Sequence, residues 1–168
     1  MEDRINLSPI GVVHSKASDD DVRSESDGLV SEIEVYPRYK DALDGLEGYS
    51  HIFVLGYLHK LRQEQIGPLK VKPKRLVKYG LKLEDLPLVG VFALDSPTRP
   101  NPIGLSLARL LRIQDERTLV VSDLDMFDGT PVLDIKPYQP GYRADGYKLP
   151  QWNLELYQKT GLPLDKPL

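Results

Sequence analysis

The sequence predicts a mainly β protein, a single antiparallel β-barrel of about seven strands with a few short helices. Three observations carry this expectation. Short runs rich in β-branched and aromatic residues recur along the chain. The segments between them lack the regular strand–helix alternation of a parallel sheet. Fourteen prolines and thirteen glycines punctuate what remains. At 168 residues the chain has the size of one domain and can bury most of its apolar surface without disulfides.

LVSEIEV (Leu29 to Val35) ends in strict alternation, with Glu32 and Glu34 outward and Ile33 and Val35 inward, as in a half-buried strand. PRYKDALDG opens with Pro37 in a first-turn position and stops at Gly45, a helical signal. HIFVLGYL, LVGVFAL and TLVVSDL read as more deeply buried strands. IGLSLARLLRI is also read as a strand, because Gly104 costs a helix about 1 kcal/mol. Its predicted inner face is Ile103, Leu105, Leu107, Leu111 and Ile113, interrupted by Arg109. PVLDIKPY is a further strand closed by Pro137, and LPQWNLELYQKTG is a helix that starts after Pro150 and stops at Gly161. No repeat or low-complexity linker is present. The expected organisation is a barrel over residues 1–140, with residues 141–168 a short helical extension of the same domain.

Cysteine is absent, which removes a disulfide framework, a thiolate nucleophile and Cys-ligated zinc. No G-x-G-x-x-G follows a strand, there is no P-loop, and His14, His51 and His59 form no H-E-x-x-H. Gly104 to Ala108 half resembles a nucleophile elbow, but Ala108 stands where glycine is needed, so Ser106 reads as a structural strand residue. The first residues lack the basic start and apolar run of a signal peptide, and no stretch approaches a membrane span. The expectation is a soluble, cytoplasmic protein with no metal site and no membrane partner.

The net charge is -3, unevenly spread. From Lys60 to Lys82 eight bases face one acid, Glu64. That segment is either a solvated lysine-rich loop or an arm that contacts phosphates, with Lys72, Lys74 and Arg75 at its centre and Tyr79 placed to stack on a base.

The segment DSPTRPNPIGLS, from Asp95 to Ser106, holds three prolines that force Ser96, Arg99 and Asn101 into extended geometry. It is a stiff loop leaving the VFAL strand. It serves either as a rigid turn at a barrel end or as a preorganised support from which Arg99 and Asn101 reach a ligand.

SPTRPNPIGLS, followed by DLDMFDGTPVLDIKPYQP, resembles the two signature segments of the TsaA-like family, also called TrmO. PIGVVHS and LEGYSHIFVLGYLH resemble two further blocks in the same order, so the likeness runs from about Pro9 to Pro140. The resemblance implies an S-adenosylmethionine-dependent tRNA methyltransferase that acts on threonylcarbamoyladenosine beside the anticodon and works as a homodimer. Carried over by position, cofactor contacts fall on Glu25, Ser26, Asp27, His59, Lys60, Asp95, Leu105, Asp125, Met126, Phe127 and Asp128. Asp125 and Asp128 suit ribose or amino groups, and Met126 and Phe127 suit the adenine ring, although Asp128-Gly129 is also a turn signal. Two positions depart from the pattern. Glu25-Ser26 stands where relatives commonly carry arginine and glutamine, and Asp95 where they carry arginine, so the cofactor carboxylate must find another base, Lys60 or Arg99.

Methyl transfer to nitrogen is an in-line displacement that needs positioning and removal of a proton. Asp128, Asp134 and His59 are the candidate bases, unranked, and Asp134 has an alternative role as a structural partner of Lys136 or Arg99. Arg99 and Lys136 are the candidate partners of the threonyl carboxylate, with Asn101 beside them. Two other readings remain open, a non-catalytic RNA- or nucleotide-binding barrel and a small-molecule methyltransferase.

Overall fold

The computed structural model describes residues 5–24 and 26–164. The chain divides into two compact units. The first comprises residues 1–60 and 103–142, the second residues 61–102 and 143–168.

The first unit is a closed antiparallel barrel of six strands. These are β1 (Gly11–Ser15), β2 (Val30–Val35), β3 (His51–Tyr57), β6 (Ile103–Gln114), β7 (Thr118–Ser122) and β8 (Pro131–Pro137), joined around the wall in the order β1-β2-β7-β6-β3-β8. The expected architecture is thus observed, with six strands in the wall. Closure leaves no strand edge open. A helix, α1 (Asp19–Ser24), and a 3-10 turn, Pro37–Leu43, lie between strands. The latter is the helical signal read at Pro37, in tighter form. β1 and α1 had no counterpart among the elements read from sequence.

β2 alternates as read, with Ser31, Ile33 and Val35 inward and Glu32 and Glu34 half-exposed. β3, expected to be buried on both faces, alternates too, with Ile52, Val54 and Gly56 inward. Only β7 is buried almost throughout, from Leu119 to Ser122.

β6 is a strand as expected, but its faces are reversed as far as Leu111; beyond a register shift between Leu110 and Arg112, Ile113 packs on the core as expected. Ser106, Ala108 and Leu110 point into the barrel, whereas Leu105, Leu107 and Leu111 are exposed. Space explains the reversal, because a narrow six-stranded barrel has little room and its interior is filled from the ends. A Cβ on Gly56 would lie 2.6 Å from Met126 Sδ and 2.9 Å from Thr130 Cγ2, and one on Gly104 would lie 2.9 Å from Leu58 Cδ2. Small residues on β3 and β6 therefore admit Met126 and Leu58, and the larger leucines of β6 face outward.

The second unit contains β4 (Lys70–Val71) and β5 (Val89–Gly90), a two-stranded ribbon, and α2 (Gln151–Thr160). α2 matches expectation, closing on Gly161 at φ 68°, whose N–H donates to Tyr157 O at 2.9 Å. Leu76, Leu86 and Leu156 form its small core, with Tyr79 and Trp152 packed against them. LVGVFAL is not the buried strand expected. Only Val89 and Gly90 pair, and Val91–Ala93 form a 3-10 turn. The burial of Val91 and Leu94, three residues apart, fits one face of such a turn, and Phe92 between them faces water.

Candidate functional site on one barrel rim

Antiparallel pairing places the ends of β1, β3 and β7 and the starts of β2, β6 and β8 on the same rim. The segments that join them there carry Ser26 and Asp27, His59 and Lys60, and Asp125 to Asp128, with Leu105 at the start of β6. These residues of the first unit, scattered in sequence, are brought to one rim by the fold. Glu25 lies outside the described residues.

Asp123 organises this rim. Its backbone adopts φ 64°, unusual for a residue with a side chain, and its carboxylate accepts the Gly28 N–H at 2.6 Å and the Ser122 hydroxyl at 2.8 Å. The Gly28 amide is the main reason that its carboxyl is held below the usual carboxylate range. Its own N–H donates to Leu29 O at 3.2 Å, so the Ser26–Gly28 stretch is tied to the loop that follows β7. The sequence reading passed over Asp123, because in DLDMFDG nothing distinguishes it from its neighbours.

The turn itself is pinned on both sides. Asp125 N–H donates to Ser106 Oγ at 3.2 Å, and Ser15 N–H donates to Asp128 Oδ1 at 3.0 Å. Gly129 N–H donates to Val13 O at 2.8 Å. Asp125 and Asp128 are exposed, whereas Met126 is 2 % exposed inside the barrel core. Met126 therefore anchors the turn and has no face left for an adenine ring, which corrects the packing expected of it.

Phe127 is half-buried and carries two cations. The Arg23 guanidinium lies 4.8 Å from the ring centroid and the Lys60 ammonium 5.3 Å. Lys60 is also paired to Asp19 at 2.7 Å and Arg23 to Asp20 at 2.8 Å, so α1 supplies counter-ions to both. Sequence spacing gave no hint that α1 reaches this ring. His59 is half-buried beside them. Burial, and then the Lys60 charge, push its pKa down, with Asp19 and Asp128 opposing. Its imidazole is accordingly neutral near pH 7 and able to accept a proton.

Other candidates lie elsewhere. Asp134 and Lys136 pair with each other at 2.9 Å on β8, where they flank Leu55 and Phe53 of the barrel wall rather than the rim. This is the structural role weighed for Asp134. Asp134 also draws the Lys136 pKa upward.

Asp95, Arg99, Asn101, Lys72, Lys74 and Arg75 belong to the second unit. Arg99 does not project outward as expected, since its Nη2 donates to Leu94 O at 2.9 Å and Val91 O at 3.4 Å, and Nε is buried without a partner. Proline fixes the loop's backbone, and the guanidinium folds back onto Leu94 O at the end of the 3-10 turn and shares Val91 O with the Leu94 N–H. Asp95 and Asn101 are exposed. Lys72 donates to Leu83 O at 2.9 Å, whereas Lys74 and Arg75 are exposed and make no ion pair among the described residues. Tyr79 is half-buried, packed on the small core with the Lys78 ammonium 5.0 Å from its ring centroid.

Two concavities of the first unit lie at the opposite rim, one of about 420 Å³ between the Pro37–Leu43 turn and Ile113 and Glu116, the other of about 320 Å³ between Glu47–Ser50 and Leu110–Ile113. They lack the combination of carboxylates, a neutral imidazole and a cation-bearing ring that the Asp125–Asp128 rim carries. Among the described residues no cluster of three or more His, Asp or Glu is arranged to hold a metal, and no helix is long and apolar enough to cross a membrane.

The probable S-adenosyl-L-methionine-binding protein of Methanothermobacter thermautotrophicus is 41% identical over 146 residues, covering 85% of this chain and 96% of that protein. The tRNA (adenine(37)-N6)-methyltransferase of Escherichia coli is 37% identical over 140 residues, covering 78% of this chain and 56% of the enzyme. Among solved structures, a crystal structure of TrmO superposes with a TM-score of 0.67 at 31% identity, covering 88% of this chain and 64% of that one. The TrmO of Pseudomonas aeruginosa superposes with a TM-score of 0.64 at 30% identity. The chain thus spans less than two thirds of the solved TrmO chains and about half of the bacterial enzyme. The model of the tRNA-methyltransferase O N-terminal domain matches residues 21–144, and the chain belongs to that family.

Proposed function

We propose that this protein is an S-adenosylmethionine-dependent methyltransferase of tRNA, and that it methylates the exocyclic N6 of threonylcarbamoyladenosine beside the anticodon in the cytoplasm. The observation that carries this reading is the gathering of the Ser26–Gly28 stretch, His59, Lys60 and the Asp125–Asp128 turn on one rim of a barrel of the TrmO family.

The rim fits such a cofactor. Phe127 already accepts cations at 4.8 and 5.3 Å, so its face suits a positively charged sulfonium. The exposed carboxylates of Asp125 and Asp128 suit ribose hydroxyls or an ammonium group. Lys60 and Arg23 are the cations at hand for the cofactor's carboxylate, which would compete with Asp19 and Asp20 for them. Once bound, S-adenosylmethionine supplies an electrophilic methyl group. What remains for the protein is orientation of the nucleophile and removal of its proton. The N6–H of threonylcarbamoyladenosine is conjugated to the purine and to a carbonyl, hence more acidic than in adenosine. His59 is the base favoured by its depressed pKa, with Asp128, committed to Ser15 through one oxygen only, as the alternative. Lys74 and Arg75 would take tRNA phosphates.

A homodimer is part of this proposal. Leu105, 68% exposed, and Leu107 line an outer barrel wall that bears Leu55 and Phe53 on the neighbouring strand, an apolar surface suited to a second copy. Sedimentation of Leu107→Glu as a monomer, against a dimeric parent, would support it. A parent that sediments as a monomer would refute it.

A narrower reading is binding of S-adenosylmethionine without tRNA methylation, favoured by the archaeal relatives, whose names go no further than binding. One experiment separates the two. Purified protein and cofactor are incubated with tRNA carrying or lacking the threonylcarbamoyl group, and the nucleosides are analysed by mass spectrometry. A methylated product from the modified tRNA alone is expected. Saturable cofactor binding with no product from either tRNA would leave the narrower reading.

A further inference from the structure

At 83% exposure, Phe92 is the most open of the described phenylalanine, tyrosine and tryptophan rings. A large apolar ring left in water is informative when its backbone is held in place, and here it is held from both sides. Val91 N–H donates to Leu69 O at 3.0 Å, and Leu94 N–H closes the turn onto Val91 O at 3.3 Å. The Arg99 guanidinium ties Leu94 O at 2.9 Å and Val91 O at 3.4 Å from the proline loop. Val91 and Leu94 are buried. The ring thus stands on a rigid base, and little conformational freedom remains to be lost when something covers it.

Its surroundings indicate what would cover it. The ribbon pairs Lys70 with Gly90, two residues before the ring, and Lys74 and Arg75 follow on the next turn. These three bases are exposed and make no ion pair among the described residues. The second unit carries twelve basic side chains against seven acidic ones, net +5, whereas the first carries ten against eighteen, net -8. A flat, preorganised ring in a cationic unit, two residues beyond the strand partner of the exposed Lys70, fits a planar base flanked by phosphates better than it fits an apolar protein surface.

We propose that Phe92 is a stacking platform for one unpaired base of the RNA substrate, with Lys70, Lys74 and Arg75 taking the neighbouring phosphates. The inference rests on the tRNA reading above and adds to it a residue that acts through the nucleic acid rather than the cofactor.

The test uses the full chain and a labelled anticodon stem-loop RNA, with affinity read by fluorescence anisotropy over a salt series. Phe92→Ala should weaken binding by about 5- to 150-fold, the range for loss of one base stack. The salt dependence should be unchanged, because stacking releases no counter-ions. Phe92→Leu, similar in bulk but without a π face, should bind as poorly as the alanine variant. Phe92→Trp should bind like the parent and show fluorescence quenching on addition of RNA beyond that of the parent, which has only Trp152. Unchanged thermal midpoints would confirm that folding is intact, as the exposure of the ring implies.

Alanine and leucine variants that bind like the parent would overturn the proposal. So would a leucine variant that restores full affinity, which would mark an apolar contact instead, or an alanine variant that changes the sedimenting mass, which would mark a protein interface. A parent that binds no RNA would overturn the tRNA reading along with it. A parent that binds and methylates RNA while Phe92→Ala is indifferent would overturn this inference alone.

Discussion

The barrel and the basic unit hold their side chains in place by different means. In the barrel, thirteen of the described residues form one continuous buried core, and the rim loops are fastened to the strands and to each other by N–H donors of Ser15 and Gly28 on Asp128 and Asp123 and of Asp125 on Ser106 Oγ. In the second unit the buried cluster among the described residues is Leu76, Leu86 and Leu156, the paired strands are two residues long, and the proline loop is held by the Arg99 guanidinium and by the Gly67 N–H on Arg99 O at 3.4 Å. The charges are opposite as well. Under the proposed function, chemistry demanding fixed distances is built on the deep core, while attraction of a polyanion falls to the cationic unit, where looser geometry is tolerated.

The sharpest test of that division is His59. His59→Ala should slow single-turnover methyl transfer by about 10²- to 10⁴-fold with cofactor affinity nearly intact, as expected for loss of a general base. Because the folded pKa lies below the usual 6.5, the parent's rate should stay flat as pH falls to about that value and decline only below it, and the variant should lose this acid limb. A variant that keeps the parent's rate and pH profile would move the base to Asp128.

Next in size are the cores. Ile33→Ala should cost about 2–5 kcal/mol in urea denaturation and lower protection against hydrogen exchange throughout the barrel. Leu76→Ala should expose amides of residues 61–102 and 143–164 while barrel amides stay protected. Uniform loss of protection in both variants would break the comparison.

A smaller effect is expected at Asp123. Alanine there removes a charge-assisted hydrogen bond to Gly28, costing about 1–2 kcal/mol at neutral pH, and should weaken cofactor binding by loosening the Ser26–Gly28 stretch. Since the folded carboxyl titrates below its unfolded value, its contribution is complete above about pH 4 and is lost as pH falls through the folded pKa. The stability gap between parent and variant should therefore close in acid. A gap that persists at low pH would show that the charge is not its source.

The smallest change is Lys74→Gln, which should reduce the slope of log affinity for RNA against log salt by about 1 and leave methyl transfer at saturating RNA unaltered. An unchanged slope would remove Lys74 from the phosphate surface.

How much of this was legible in the sequence follows from how local each signal is. Alternation in β2, the Gly161 stop of α2 and the turn at Asp128-Gly129 depend on neighbours along the chain, and all three could be read. The face of β6 could not, because an inner wall of Ser106 and Ala108 makes sense only once Met126 and Leu58 are known to fill the interior. LVGVFAL has strand composition but finds no sheet in the second unit beyond a two-residue partner. At the site, the family signatures located the acidic turn, but the Asp123 bond to Gly28 and the approach of Arg23 and Lys60 to Phe127 join residues far apart in sequence. A charge pattern alone could not reveal that Arg99 is spent on its own loop.

The plugging of the barrel by Met126 has one further implication. With Gly56 and Gly104 leaving room only for side chains from within the same chain, the barrel is a solid post and not a cup. The lumen therefore offers no room for a ligand, and any binding surface of the barrel lies outside it. Because the plug belongs to the turn itself, exchanging that turn for another would mean repacking the interior, whereas the outer face of the wall is free to vary without touching it.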